Sequence, residues 1–284
     1  MRYLFIVLCF CVSAIATPMQ DHTIDPKAIR ELASAFDIPP EADLIAATQK
    51  LWLRPAGQER WEVSEISPEK KAFVLHWAKE HGLLETWKPV CQEYDKVLIL
   101  GATTRRMQMR LDHIKELWAQ GTRFKEIIWL TGDRPLDQRI DGLIDRCSNE
   151  SEAAHILWEE TELPDEMRAL PVVFIAVPLI NYAKELKRPT TQDTLIAWLN
   201  TNPPPKTTAL FVSDQPFCGY QFAVVKCCLP SSISFDLVGP EADPTCHPAA
   251  AAIILDSIAR WIYQENMYQT KTASRTTYQD NLPR

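Results

Sequence analysis

Five short apolar runs recur along the chain from residue 96 onward: residues 96–100 (KVLIL), 126–131 (EIIWLT), 172–177 (VVFIAV), 208–213 (TALFVS) and 234–239 (SFDLVG). Each is rich in β-branched and aromatic residues, and each is continuous rather than alternating. Continuity of this kind marks strands covered on both faces, as in a parallel sheet. Between the runs the apolar residues take helical spacing. Met107, Leu111, Ile114 and Trp118 form one stripe, and residues 191–199 a second with Leu195, Ile196 and Leu199. Residues 217–229 follow the fourth run, and Pro248 opens a long last helix striped by Ile254, Ile258, Trp261 and Ile262.

Strands alternating with helices predict a doubly wound, Rossmann-like α/β domain over 94–268, with a mainly parallel five-stranded sheet. The stretch between Asp133 and Pro171 is long for one crossover, and the pattern predicts helices at 138–147 and 151–162. Upstream, residues 17–93 form a helical segment that caps the sheet or stands as a small subdomain. Its helices begin at Asp25-Pro26, a cap followed by proline at the first helical position, and continue at 42–51 and 68–81. The polar residues 269–284 predict a loose tail.

The extreme N-terminus changes the cellular setting. Met1-Arg2 is a positive start, Tyr3 to Ala16 is apolar apart from Ser13, and Ala14-Ile15-Ala16 offers small residues at the positions a signal peptidase reads. Residues 1–16 therefore read as a cleavable signal peptide, cut after Ala16, and predict a periplasmic or secreted protein. The run is shorter than the ~20 apolar residues of a spanning helix, and no later segment is apolar for long enough, so no stable membrane span is expected after cleavage. Cys91, Cys147, Cys218, Cys227, Cys228 and Cys246 follow the leader; an oxidising compartment permits disulfides among them, and the spacing chooses no connectivity. With 30 Lys and Arg against 37 Asp and Glu and no basic run, nucleic-acid binding is disfavoured. No C-x-x-C pair points to a metal site.

In open parallel sheets ligands bind beyond the carboxyl ends of the strands. There the sequence places Gly101, Thr103, Thr104, Arg105 and Arg106 after the first run, and Thr131, Gly132, Asp133 and Arg134 after the second. Ser213 and Asp214 follow the fourth, and Thr191 and Asp193 open the helix before it. Glycine allows a tight turn, helix-start N–H groups hold anions, and arginine pairs with phosphate or carboxylate. The set predicts a site for a small anionic ligand, nucleotide-like or phosphorylated. Asp133 and Asp214 are the candidate bases if the same crevice serves a hydrolase or transferase. Equally, glycine and hydroxyl residues at strand ends make ordinary turns and caps, and the sheet is then the scaffold of a secreted interaction protein. No GxGxxG, GxxxxGK[ST] or GxSxG occurs, so no cofactor is named and no standard dinucleotide, P-loop or nucleophile-elbow site is supported.

Taken together, Leu100-Gly101 with Arg105, Arg106 and Arg110, the Thr131-Gly132 pair, the Thr190–Thr194 helix start and Phe211-Val212-Ser213-Asp214 resemble the SanA/ElyC/YdcF family of envelope-associated domains. The resemblance spans roughly residues 95–239. It departs at Gln192-Asp193, where that family has Glu-Asn, and after Ser213, where its His and Arg are missing. It implies a Rossmann-like sheet and a role in cell-envelope maintenance.

Overall fold

A computed structural model describes residues 18–54, 66–182 and 185–280. The proposed signal peptide, residues 1–16, lies outside them. Five strands form one all-parallel sheet: β1 (Glu93–Leu100), β2 (Arg123–Gly132), β3 (Val172–Val177), β6 (Thr208–Val212) and β7 (Ser234–Val238), in the order β3-β2-β1-β6-β7. All five apolar runs are strands, and the doubly wound α/β class is the observed one. Register explains their continuity. Val97, Ile99, Ile127, Trp129, Leu210 and Val212 face α4 (Thr104–Ala119) and α5 (Glu150–Glu160). The intervening Leu98, Leu100, Ile128, Leu130, Ala209 and Phe211 face α7 (Thr191–Leu199) and α8 (Cys218–Cys228). Alternate side chains thus point to opposite faces, and both faces are buried. Each fully buried Leu or Ile contributes about 1.5–3 kcal/mol.

The N-terminal helices do not cap the sheet. α1 (Pro26–Ser34), α2 (Leu44–Leu51) and α3 (Pro68–Glu80) pack instead on the last helix, α9 (Ala250–Asp280), which lies on α8. A separate apolar core joins Ile29, Leu32, Val74 and Trp77 to Ile254, Ile258 and Trp261. The α8–α9 contact needs a glycine: a Cβ on Gly219 would sit 2.1 Å from the Trp261 ring. Asp25, Asp43 and Ser67 cap α1, α2 and α3 as their side chains allow. On the far edge of the sheet, Met19 N–H donates to Phe235 O at 2.8 Å and covers β7.

Three expectations are corrected. Residues 138–147 form turns rather than a helix, because Asp141 is held in place by Arg134 and Leu143 takes a left-handed backbone (φ 65°). A short α6 (Asp165–Arg168) and an antiparallel hairpin of β4 (Ile180–Tyr182) and β5 (Glu185–Lys187) lie where the pattern gave no element. The backbone stays helical past Met267 to Asp280, where a loose tail was expected.

Candidate functional site

Strand order reverses at β1. Its chain leaves for β2 through α4 on one face, whereas β6 next to it continues through α8 on the other. In open sheets of this kind the helix starts diverge at such a point and form the crevice between neighbouring strand ends, here those of β1 and β6, the topological switch point.

An ion cluster occupies this crevice. Asp214, fully buried just beyond β6, accepts from Arg106 Nη1 and from Arg110 Nε at 2.8 Å. Arg106 and Arg110 stand one turn apart on α4 and so share a face. Arg110 is buried and also donates to Leu100 O and, at 3.1 Å, to Gly101 O. Arg106 keeps 30% of its side chain exposed and stacks over the Phe217 ring at 4.3 Å. Two guanidinium groups therefore meet one carboxylate, and the exposed one lies at the crevice mouth. Ser213 Oγ is buried and donates to Gln221 Oε1. His247 lies near the same guanidinium: burial lowers its imidazole pKa, and the Arg106 charge lowers it further. Its Nδ1 accepts from Ala249 N–H at 3.0 Å at the start of α9.

A second cluster fills the ends of β1 and β2. Arg134 makes a bidentate pair with Asp141 at 2.7 and 3.0 Å, and its Nε donates to Glu150 Oε2 at 3.0 Å. Glu150 Oε1 accepts from Gly132 N–H at 3.2 Å and lies where a Cβ on Gly101 would come within 2.1 Å. Both strand-end glycines thus make room for parts of the chain itself: Glu150 at Gly101, and Pro189 at Gly132, where a Cβ would meet the ring at 2.2 Å. Burial pushes the Glu150 carboxyl above its usual range despite Arg134. Burial also acts to raise Asp141, but Arg134 and the N–H groups of Asp137 and Thr104 outweigh it and hold it low. Thr104 N–H donates to Asp141 at 2.9 Å, and its Oγ1 accepts from Gly142 N–H at 2.8 Å.

The remaining candidates stand apart from both clusters. Thr103 is the N-cap position of α4 but makes no capping bond with its side chain. Arg105 is exposed, without an ionic partner among the described residues. Thr131 is buried within β2 and donates to Ile175 O at 3.2 Å. Asp133 is partly exposed; its N–H donates to Val177 O, and its carboxylate bonds to nothing among the described residues. Asp193 closes a capping box with Thr190, and Thr191 gives its carbonyl to Thr194 Oγ1. Sequence reasoning missed Asp141, Glu150, Gln221 and His247 as partners, and left Arg110 out of the site. The four-residue spacing of Arg106 and Arg110 was the available signal for Arg110.

Among the described residues, no group of three His, Cys, Asp or Glu side chains is placed to hold a metal, and no helix is long and apolar enough to cross a membrane. Cys91, Cys147, Cys218, Cys227 and Cys228 are free thiols.

The fold and this geometry define a doubly wound α/β protein with an arginine-rich cluster at its switch point. The chain matches no protein-family model, no curated protein and no solved structure.

Proposed function

We propose that this is an exported α/β protein that binds a small anionic ligand, nucleotide-like or phosphorylated, at the β1–β6 switch point. One observation carries the reading: Arg106 and Arg110 converge on the single carboxylate of Asp214, and Arg106 remains partly open to solvent there. An incoming phosphate or carboxylate would share the Arg106 guanidinium with Asp214. Arg105, exposed on the same turn of α4, would add charge. The apolar leader and the resemblance to envelope-associated domains support placing this binding in cell-envelope maintenance.

Catalysis by an Asp base draws less support. Arg106 and Arg110 already occupy both oxygens of Asp214, which leaves neither open to a substrate proton. The structural-scaffold reading draws on a specific observation, the filling of the β1–β2 half of the crevice by Glu150 and Asp141. One titration separates the two readings. The full chain is titrated with inorganic pyrophosphate and with AMP, by calorimetry, beside Arg106→Ala and Arg105→Ala/Arg106→Ala. Arg110 still pairs Asp214 in these variants, so the fold should persist. Anion binding should weaken at least tenfold in the double variant. Equal affinity in wild type and variants, or no binding to wild type, overturns the ligand reading and leaves the scaffold.

A further inference from the structure

A second cleft, of about 360 Å³, lies away from the strand ends between α1, the start of α2 and α9. That is within the range of small-molecule sites. Its walls are apolar: Ile24, Leu44, Ile45 and Ile262 line it, each partly exposed. Among its lining residues only Ile29, 1% exposed, and Glu265, 7% exposed, are buried, and they form its floor.

The floor carries a charge that the protein leaves incompletely matched. Glu265 Oε1 is buried without a hydrogen bond of good geometry, and the Trp261 indole N–H is the donor that acts on its carboxylate. The nearest cation is Lys226, whose ammonium stands 3.8 Å from Glu265 Oε2 but closer, at 3.1 Å, to Asp21. One ammonium thus serves two carboxylates. Burial, as expected for such a group, pushes the Glu265 carboxyl above its usual range. The other ionic residues lining the cleft are engaged elsewhere. Asp43 caps α2 through the N–H groups of Ile45 and Ala46, and Arg30 donates to the carbonyls of Pro40 and Ala42.

We infer that this cleft binds small amphiphilic amines, with the apolar body between Ile24, Leu44, Ile45 and Ile262 and the ammonium on Glu265. An ammonium supplies a positive charge beside an acidic pair that shares one lysine, and a stronger donor than the indole N–H. An alcohol supplies the donor alone, and a carboxylate meets repulsion.

Calorimetric titration of the full chain at neutral pH with hexylamine, hexan-1-ol and hexanoate tests this. Hexylamine should bind at least tenfold more tightly than the alcohol, and hexanoate should not bind. Glu265→Gln should lower amine affinity at least tenfold and leave the alcohol unchanged. Ile45→Trp, at a partly exposed wall, should fill the cleft and abolish binding of both while Glu265 stays intact. Circular dichroism confirms that each variant is folded. Equal affinity for amine and alcohol, undiminished amine binding by Glu265→Gln, or no amine binding at millimolar concentration each overturns the proposal.

Discussion

Arg110 Nε lies 2.8 Å from Asp214 Oδ1, and both side chains are buried at the junction of β1 and β6. Taking two charges out of water is costly, and their mutual contact, Arg106 on Asp214 and the carbonyl partners of Arg110 offset that cost. Breaking the pair from one side strands the other charge. Asp214→Ala should therefore destabilise the protein by about 3–5 kcal/mol, whereas the paired apolar replacement Arg110→Met/Asp214→Leu should lose much less. Urea unfolding followed by circular dichroism reads both. Equal losses in the single and paired variants would show that the pair is not the unit that matters.

This relationship was only half legible in the sequence. Arg106 and Asp214 were each visible as strand-end residues, whereas Arg110 offered only its shared helix face with Arg106. Their meeting depends on β1 and β6 being neighbours, which joins positions 104 residues apart and which no local pattern states. The strands themselves were legible because burial on both faces writes a continuous apolar run. The β4–β5 hairpin was not, since Glu185, Leu186 and Lys187 are all exposed and leave no burial pattern. Residues 138–147 misled for a related reason: their helical spacing is overridden by the tertiary bond from Arg134 to Asp141.

Gly101→Ala should destabilise by about 1–3 kcal/mol, in the range of overpacked sites. The added Cβ would meet Glu150 Oε1 at 2.1 Å, Leu130 O at 2.8 Å and Thr131 Cα at 3.1 Å. A side chain can withdraw, but the backbone of β2 cannot. Combining the change with Glu150→Ala should accordingly fail to restore wild-type stability. Full rescue would place the constraint on Glu150 alone.

Two histidines should make stability fall as the medium is acidified below neutrality. His22 stacks on Trp87 with ring centroids 3.7 Å apart, and burial lowers its pKa from 6.5 to about 4. Burial likewise lowers His113, against the opposing pull of Glu116, whose carboxylate stands 3.7 Å from its Nδ1. Above pH 6.5 both are neutral in folded and unfolded chains, and nothing is lost. Below it the unfolded chain takes up the proton first, so each group removes stability at up to about 1.4 kcal/mol per pH unit until its depressed pKa is reached. Buried carboxyls such as Glu150 and Glu265 act with the opposite sign, so the comparison is with a variant. The stability of wild type minus that of His22→Phe should decline between pH 6.5 and about 4. A difference independent of pH would contradict this.

Thiol reactivity should follow burial. Cys91 is exposed, Cys218 is fully buried, and burial pushes Cys227 and Cys228 up to about 11. At pH 8 the last two are thiolate in only about one molecule in a thousand, and the thiolate is the reactive form. Iodoacetamide labelling read by peptide mass spectrometry should modify Cys91 first and Cys218 only in denaturant. Early labelling of Cys218 would mean that the α8 start opens locally.

Glu150 fills the place where a strand-end anion would sit, and this can be tested by supplying the anion from outside. Its carboxylate accepts from Gly132 N–H at 3.2 Å and from Arg134 Nε at 3.0 Å, in space that Gly101 leaves open by having no Cβ. Glu150→Ala strands both donors, at about 1–3 kcal/mol for each buried group left unsatisfied. Arg134 keeps its bidentate bond to Asp141, so the loop should hold its shape around the gap. Acetate has the size and charge of the missing group. In the variant it should raise the urea midpoint in a saturable manner, while chloride at equal ionic strength should not. Wild type, with the place already taken, should respond to neither. A variant as stable as wild type, or an equal acetate response in both, would show that Glu150 is not the occupant that organises the β1–β2 end.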